Sequence, residues 1–568
     1  MVPAFVVVAG WRLRWTHDDG FITFRVVEQI LAGHGPVYNE GQRVEAFTSP
    51  LHVALLVVLR VVTAGLVDVA WLSVLLTLAG TGVGLYLASA ASARAQLRGA
   101  PGGRAVPFGV VVVAALWPVW EYATAGLETG LTFAWIGGTY ALLVGVCDPA
   151  EPAPRRLRWA AVAAGLGPLV RPELAIATVA QLVVLARVAP AHGVRRRTVA
   201  VAALAAPVAY QVFRMGYYGA LVPNTALAKE AGGARWGQGW WYLRNLADPY
   251  LLVLPLVVVA AWVVLGPGRR PARYGGRDAR TLAWATVLAG AASLLYVVRV
   301  GGDYMHARLL LPGLFLLVVP WAAVVVPAAP RARRQLVPLV AALAVWAAVC
   351  ATTLRPPSPE AVAGARAVAD QRAAFVGLSG SGHPVTIDDW RSSPLADRVF
   401  SVRDLAASDR SVLVVDSDAI GWTGPRVVDL GSPVGPDGAA SDGGGARPGV
   451  TLVLDGIGVA GFAAGLDVFV EDVHGLASPI AARFPPIQPR GLPGHEKILT
   501  LPWVLASAGV RGPEGESAAT QLRCGPAHRV VEAVDAPLTP GRFLANLVAA
   551  PSLTALRLAP DPVPIRCP

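Results

Sequence analysis

Ten apolar windows, most of about 15 to 22 residues, run through the first 355 positions: about 68–91, 106–121, 129–147, 159–171, 174–190, 199–216, 249–266, 281–298, 308–327 and 335–354. A hydrocarbon core of roughly 30 Å takes about 20 apolar residues in a helix, and a chain at that depth must satisfy its own backbone hydrogen bonds. The pattern therefore predicts a polytopic α-helical membrane protein. Composition agrees: 54% hydrophobic and 15% charged residues, with a mean hydropathy of +0.53, leave too little polar surface for a water-soluble fold and too little charge for disorder. The formal charge of +11 would suggest nucleic acid in a soluble chain. Here arginine sits in short runs between apolar windows, which makes the charge topological and argues for no nucleic-acid partner.

The connections alternate in kind. Arg94/Arg98/Arg104, Arg155/Arg156/Arg158, Arg195/Arg196/Arg197, Arg269/Arg270/Arg273/Arg277/Arg280 and Arg331/Arg333/Arg334 form one set, which the positive-inside rule puts in the cytoplasm. The other set holds mixed charge and faces outward. A further apolar run at 50–66 would break this parity, so it is read as a helix half-buried at the outer interface, with Arg60 snorkelling. Residues 1–10 are about half a span and have no charged n-region of a signal peptide, so a truncated start is expected. With a first helix running outward from there, about eleven transmembrane helices are expected (1–355), with a first outer loop at 11–67. The chain after 355 then emerges outside a plasma membrane.

From 356 to 568 charge, Gly and Pro rise, and β-like runs at 411–416, 450–455 and 466–472 alternate with Ala-rich helical stretches. That is the pattern of a small extracytoplasmic α/β cap domain. Asp442–Gly445 and the Pro-rich tract near 485–493 read as loops. Gly456–Gly461 matches GxGxxG after a strand, but the next strand follows too soon for the phosphate-binding helix, so it reads as a Gly-rich turn and no nucleotide cofactor is expected. Four cysteines, none in CxxC or zinc spacing, exclude a disulfide scaffold and a structural zinc. Cys524 and Cys567 fall in the exported part, where a disulfide would pin the C-terminal tail, whereas Cys147 and Cys350 are expected to be free.

Ionisable residues concentrate in the outward segments. His17-Asp18-Asp19 opens an amphipathic helix. One carboxylate suffices as a cap. The second is available as a base or as a ligand of a divalent cation (Mg, Mn or Ca), which repulsion between the pair would favour. Further along come Asn39, Arg43, Glu45, Glu128, Arg171-Pro172-Glu173, Arg214, Asn224, Lys229, and Gly301-Gly302-Asp303-Tyr304-Met305-His306-Ala307-Arg308. They bring cations and carboxylates to one face at headgroup depth. Arg171, Arg214, Lys229 and Arg308 are the candidates for binding a lipid-linked phosphate, arginine being suited to two phosphate oxygens.

The acidic pair, the non-spanning TSPL helix, the alternating outward motifs and the exported tail resemble the GT-C class of membrane glycosyltransferases, which use polyprenyl-phosphate sugars. The strings HDDGFITFRVVEQILAGHGPVYNEGQRVEAFTSPL (17–51), GLET (126–129), RPE (171–173), YYGALVPNTALAK (217–229), GGDYMHARLLLP (301–312) and GHEK (494–497) resemble, over nearly the whole chain, the actinobacterial terminal β-(1→2)-arabinofuranosyltransferases. GLET and RPE are weak alone; the first-loop string and GGDYMHARLLLP are specific in combination.

The resemblance implies a GT-C fold, probed from the outer face by decaprenylphosphoryl-arabinofuranose as donor and by arabinan of arabinogalactan and lipoarabinomannan as acceptor, in a chain expected to be a monomer. Donor and product would both be β-linked, giving net retention, through either an enzyme nucleophile or same-face attack. Asp18 and Asp19 are assigned to the reaction centre as base, nucleophile or metal ligand. Arg171, Arg214, Lys229 and Arg308 go to the donor phosphate, with His17, Glu45, Glu128, Glu173, Asn224, Asp303 and His306 second in rank. Trp390 and Trp503 are candidates to stack on arabinan, with core packing the plainer role. The rival readings are a transferase for another polyprenyl-phosphate sugar such as mannose, and a lipid flippase or transporter. The latter would carry its polar residues at the bilayer midplane and show internal repeats.

Overall fold

The computed structural model describes residues 1–98, 103–148, 153–230, 232–265, 276–326, 330–358, 368–397, 399–400, 402, 411–417, 426–431, 449–487, 494–510 and 512–567. Arg269, Arg270, Arg273, Asp442–Gly445 and most of the Pro-rich tract lie outside them.

Five described helices are long and apolar enough to cross a membrane: Val69–Leu97, Thr129–Val146, Pro172–His192, Arg196–Tyr218 and Arg277–Val300. The chain reaches the first of these through three shorter helices, α1 (Val2–Arg12), α2 (Asp18–Leu31) and α3 (Pro50–Val62), so that Val69–Leu97 is α4. Helix α4 packs on Thr129–Val146 backbone to backbone. A Cβ at Gly84 would overlap the Phe133 carbonyl, and one at Gly137 would overlap Gly84. Without water to drive apolar surfaces together, close approach of small residues is what holds helices in a bilayer.

Three expected spans are interrupted. The 106–121 window divides into β1 (Arg104–Pro107) and helices Gly109–Ala114 and Trp117–Tyr122, because Pro107 and Pro118 each forbid continuous helix there. The 159–171 window breaks at Leu166, ahead of Pro168. The 308–327 window is a helix, Leu311–Val318, followed by a turn at Pro320 and β2 (Ala323–Val326), which pairs antiparallel with β1.

The arginine-bearing connections gather at one end of the helices. Arg98 pairs with Asp148 at 2.5 Å, His192 bridges the Val146 carbonyl (2.8 Å) and the Ala153 amide (2.9 Å), and Arg187 pairs with Asp278 at 3.0 Å. Helix α3 is too short to span. Arg60, expected to snorkel, instead turns back onto Glu28 of α2 at 3.1 Å and onto the Gly65 and Val67 carbonyls at 2.8 and 3.0 Å. A guanidinium that finds a carboxylate and two carbonyls in the protein has no need of the headgroups.

The C-terminal part is built on a four-stranded sheet of order β4-β3-β5-β6, where β3 is Ser411–Asp416, β4 Arg426–Gly431, β5 Val450–Leu454 and β6 Phe469–Asp472. β3, β5 and β6 are parallel and β4 is antiparallel. Side chains alternate across it as strand geometry requires. Val412, Val414, Val450, Leu452 and Leu454 join one apolar core with Phe21, Phe24, Val53 and Leu56 of α2 and α3, while Leu413, Val415 and Val453 join Trp503, Val504, Ala518 and Val530 on the other side. Helices α2 and α3 thus supply part of one of the two layers covering the sheet.

Polar contacts fix that docking. Arg25 of α2, fully buried, donates to the carbonyls of Tyr38, Gly461, Gly465 and Val468 at 2.6–2.9 Å. Asn39 exchanges hydrogen bonds with the backbone of Val470 at 2.9 and 3.0 Å. Cys524 and Cys567 form a disulfide with Cα atoms 5.7 Å apart, and Cys147 and Cys350 are free and buried. Trp390 and Trp503 are core residues, 0% and 2% exposed.

Candidate active site

The site lies where α2, the 301–308 loop, residues 224–229 and the GHEK turn of the cap converge. His17 caps α2, its Nδ1 accepting from the Asp19 amide at 3.0 Å. The next two residues then diverge. Asp18 Oδ1 accepts from the Val459 amide at 2.7 Å, at the start of the short helix Val459–Ala463. Gly458 has to be glycine there, since a Cβ would overlap the Asp18 carboxyl group. The GxGxxG stretch is therefore the seat of Asp18.

Asp19 faces the membrane-side loops. Its Oδ1 accepts from the Tyr304 hydroxyl at 3.2 Å, and its Oδ2 is 3.9 Å from Arg308 Nη1. The two carboxylates have partners on different elements, and among the described residues no three His, Cys, Asp or Glu side chains come together. Asp18 is turned to backbone amides and Asp19 to a tyrosine hydroxyl and a guanidinium.

Burial pushes the Asp18 carboxyl up to about 6, the amides of Val459 and Gly458 opposing it. Burial also lifts Asp19, but His17, Lys229 and Arg308 outweigh it and hold that carboxyl below its ordinary value. Asp19 is the carboxylate held ionised.

The 301–308 loop owes its path to glycine. Gly301 and Gly302 take φ of +101° and +77°, and a Cβ at Gly302 would overlap the Tyr242 ring. Ala307 is also left-handed, at φ +64°, strain of the kind found at functional sites. Arg308 is surrounded by acids: Glu128 at 3.1 Å, Asp303 at 3.7 Å and Asp19. Arg171, expected at the donor phosphate, is instead buried between Glu128 and Glu173. Arg214, also expected there, is taken up by Glu45 (2.6 and 3.1 Å) and Gln211 (2.8 Å), with Tyr210 donating to Glu45 at 2.7 Å. Buried guanidinium groups committed to carboxylates are expensive to separate, so Arg171 and Arg214 are structural in this state.

Lys229 is different: its ammonium has no hydrogen-bond or ion-pair partner among the described residues, and it runs past Gly494, whose Cβ would lie 3.1 Å from Lys229 Cε. Asn224 pins the cap, donating to the carbonyls of Gly475, Leu476 and Ser478 at 2.8–3.2 Å. His306 bonds Asn245 at 2.6 Å.

Sequence reasoning missed two residues. Tyr304 holds Asp19. His495 of the cap stands edge-on to Tyr304 (ring centroids 5.5 Å) and to His474 (4.8 Å), with its buried Nδ1 unpartnered. Burial, then His474, lowers its imidazole to about 4, so it is neutral at pH 7. It is presented rigidly: Glu496 pairs with Arg235, and Lys497 with Glu230 at 2.7 Å and with the Leu227 and Ala482 carbonyls. The signal was the GHEK string itself, whose histidine is the one member not used to clamp the cap.

Comparison with known proteins shows the family. The model of the AftB family C-terminal domain matches residues 438–563. The terminal β-(1→2)-arabinofuranosyltransferase of Mycobacterium tuberculosis is 32% identical, covering 100% of this chain and 96% of the relative; that of Corynebacterium glutamicum is 33% identical, covering 89% and 76%. The chain belongs to the terminal β-(1→2)-arabinofuranosyltransferase family. No solved structure matches it.

Proposed function

We propose that this chain transfers arabinofuranose from decaprenylphosphoryl-arabinofuranose to the non-reducing ends of arabinan, forming the β-(1→2) linkage, at the outer face of the plasma membrane. The observation that carries the reading is Asp19, ionised and held by Tyr304 3.2 Å away, with Arg308 and the uncommitted Lys229 beside it, in a member of this family. The donor phosphate is the partner for Lys229, whose ammonium has none among the described residues, with Arg308 contributing its field. Asp19 serves either as the nucleophile of a double displacement at the anomeric carbon or as the base for the acceptor hydroxyl in a same-face attack as the phosphate departs, each giving net retention. Asp18 positions α2 against the cap. The cap closes over the acceptor and supplies His495.

The expected arrangement is a GT-C fold of about eleven crossing segments, the interrupted windows crossing as short helices in series, with the basic end cytoplasmic, in a monomer. The test uses purified protein, a synthetic polyprenylphosphoryl-arabinofuranose and a short arabinan acceptor, with the product linkage read by NMR. A new β-(1→2) terminus is expected. Transfer from a mannosyl donor but not from this one would discard the substrate and keep the scaffold.

A further inference from the structure

A cavity of about 760 Å³ opens on the seam between the first outer loop and the cap, away from Asp19. Its walls come from residues 41–42, the end of β6, residues 478–480, and the helices Leu501–Ser507, Pro513–Cys524 and Pro526–Asp535. The volume is that of a site for a substantial ligand rather than a packing defect.

Its lining states what kind of ligand. The acids Glu471, Glu516 and Asp535 outnumber the one base, Arg523, which itself pairs with Glu516 at 3.1 Å. An anion such as a lipid phosphate is therefore disfavoured. Ser507 donates to Glu471 Oε2 at 3.0 Å, and the Gln42 side-chain amide has no hydrogen-bond partner among the described residues. Between these polar groups lie Leu499, Trp503, Val510 and Leu522. Carboxylate, amide and hydroxyl groups set in an apolar wall suit a neutral polyol, whose hydroxyls need acceptors and whose C–H faces need cover.

The cavity is joined to the reaction centre through one loop. Glu471 precedes Asp472, whose carboxylate takes the amides of His474 at 2.9 Å and Ala477 at 2.6 Å. The His474 ring meets His495, which meets Tyr304, which holds Asp19. A ligand in the cavity and a sugar at Asp19 lie on the two sides of residues 472–478.

We infer that this cavity is a second saccharide site, which holds an internal stretch of the acceptor polysaccharide while the chain end is elongated at Asp19. The inference rests on the acceptor being a polysaccharide, as proposed above. It predicts a dependence of affinity on acceptor length. Ala519→Trp, filling the cavity from the half-buried face of Pro513–Cys524, and Gln42→Ala, removing a free amide, are compared with wild type on an arabinofuranosyl disaccharide and octasaccharide.

The expected result is a KM for the octasaccharide that is lower than for the disaccharide in wild type and rises about tenfold in Ala519→Trp, with kcat and the disaccharide KM unchanged. Gln42→Ala gives a smaller rise in the same direction and carries the test if Ala519→Trp melts early. Octasaccharide KM values unchanged in both folded variants overturn the inference. Calorimetric titration of the octasaccharide into Asp19→Asn protein reads binding without turnover. If wild type transfers to neither acceptor, the proposed function has failed. Titration then still decides this inference: no binding, or binding insensitive to Ala519→Trp, refutes it.

Discussion

The two adjacent acids at the start of α2 should part company on mutation. Asp18 is half-buried, and desolvation puts its carboxyl at about 6 rather than 3.8. Holding it ionised at pH 7 costs the folded state about 3 kcal/mol. Because the folded value is raised, the folded state binds the proton more tightly, and wild-type stability falls as pH rises from about 4 to about 6, then levels off. Asp18→Asn keeps an oxygen to accept from the Val459 amide 2.7 Å away and carries no charge to desolvate. Its melting temperature at pH 7 should equal or exceed that of wild type, its stability should lose the slope between pH 4 and 6, and its transfer rate should stay within severalfold. Asp19→Asn should melt like wild type and lose roughly 10²–10⁴ in kcat, the range for removing a general base. The assay pairs fluorescence-detected melting in detergent across pH 4–8 with the transfer reaction. If Asp18→Asn melts normally yet loses transfer as fully as Asp19→Asn, the separation of roles drawn from the geometry is wrong.

Lys229→Met should raise the donor KM by tenfold or more with little change in melting, whereas Arg214→Met, which strands Glu45 in a buried site, should destabilise the protein by about 3–5 kcal/mol and show its effect in melting first. His495 is neutral at pH 7, so His495→Gln should lower kcat/KM without altering the shape of the pH–rate profile between pH 5.5 and 8; a lost limb near pH 6 to 7 would show that it titrates in the reaction. Arg25→Met removes the guanidinium that the Tyr38, Gly461, Gly465 and Val468 carbonyls share and should make the cap susceptible to protease in otherwise folded protein, read as cleavage between the membrane part and the sheet. A cysteine introduced at Arg104 should be labelled only after permeabilisation, since it lies with the basic end; labelling in intact cells would reverse the orientation.

The membrane class, the grouping of basic connections at one end, the non-spanning α3 and the candidates around Asp19 were legible along the chain, because each is set by local hydropathy or local charge. The interruptions were less so. Hydropathy averages over a window and does not register that Pro118, Pro168 and Pro320 stop a helix within it.

What the sequence by itself determined is which residues are on hand: an acidic pair, several cations and a histidine-bearing turn. Only the tertiary structure decided which of them are free to do chemistry. A buried ion pair forms wherever a carboxylate and a guanidinium can meet without further cost, and that depends on partners far apart in the chain. Glu45 is 169 positions from Arg214 and takes it out of play; Val459 is 441 positions from Asp18 and turns it away from Asp19. Lys229 remains available because the folded chain offers it no such committed partner among the described residues, while Asp19 is held by the Tyr304 hydroxyl and lies beside Arg308.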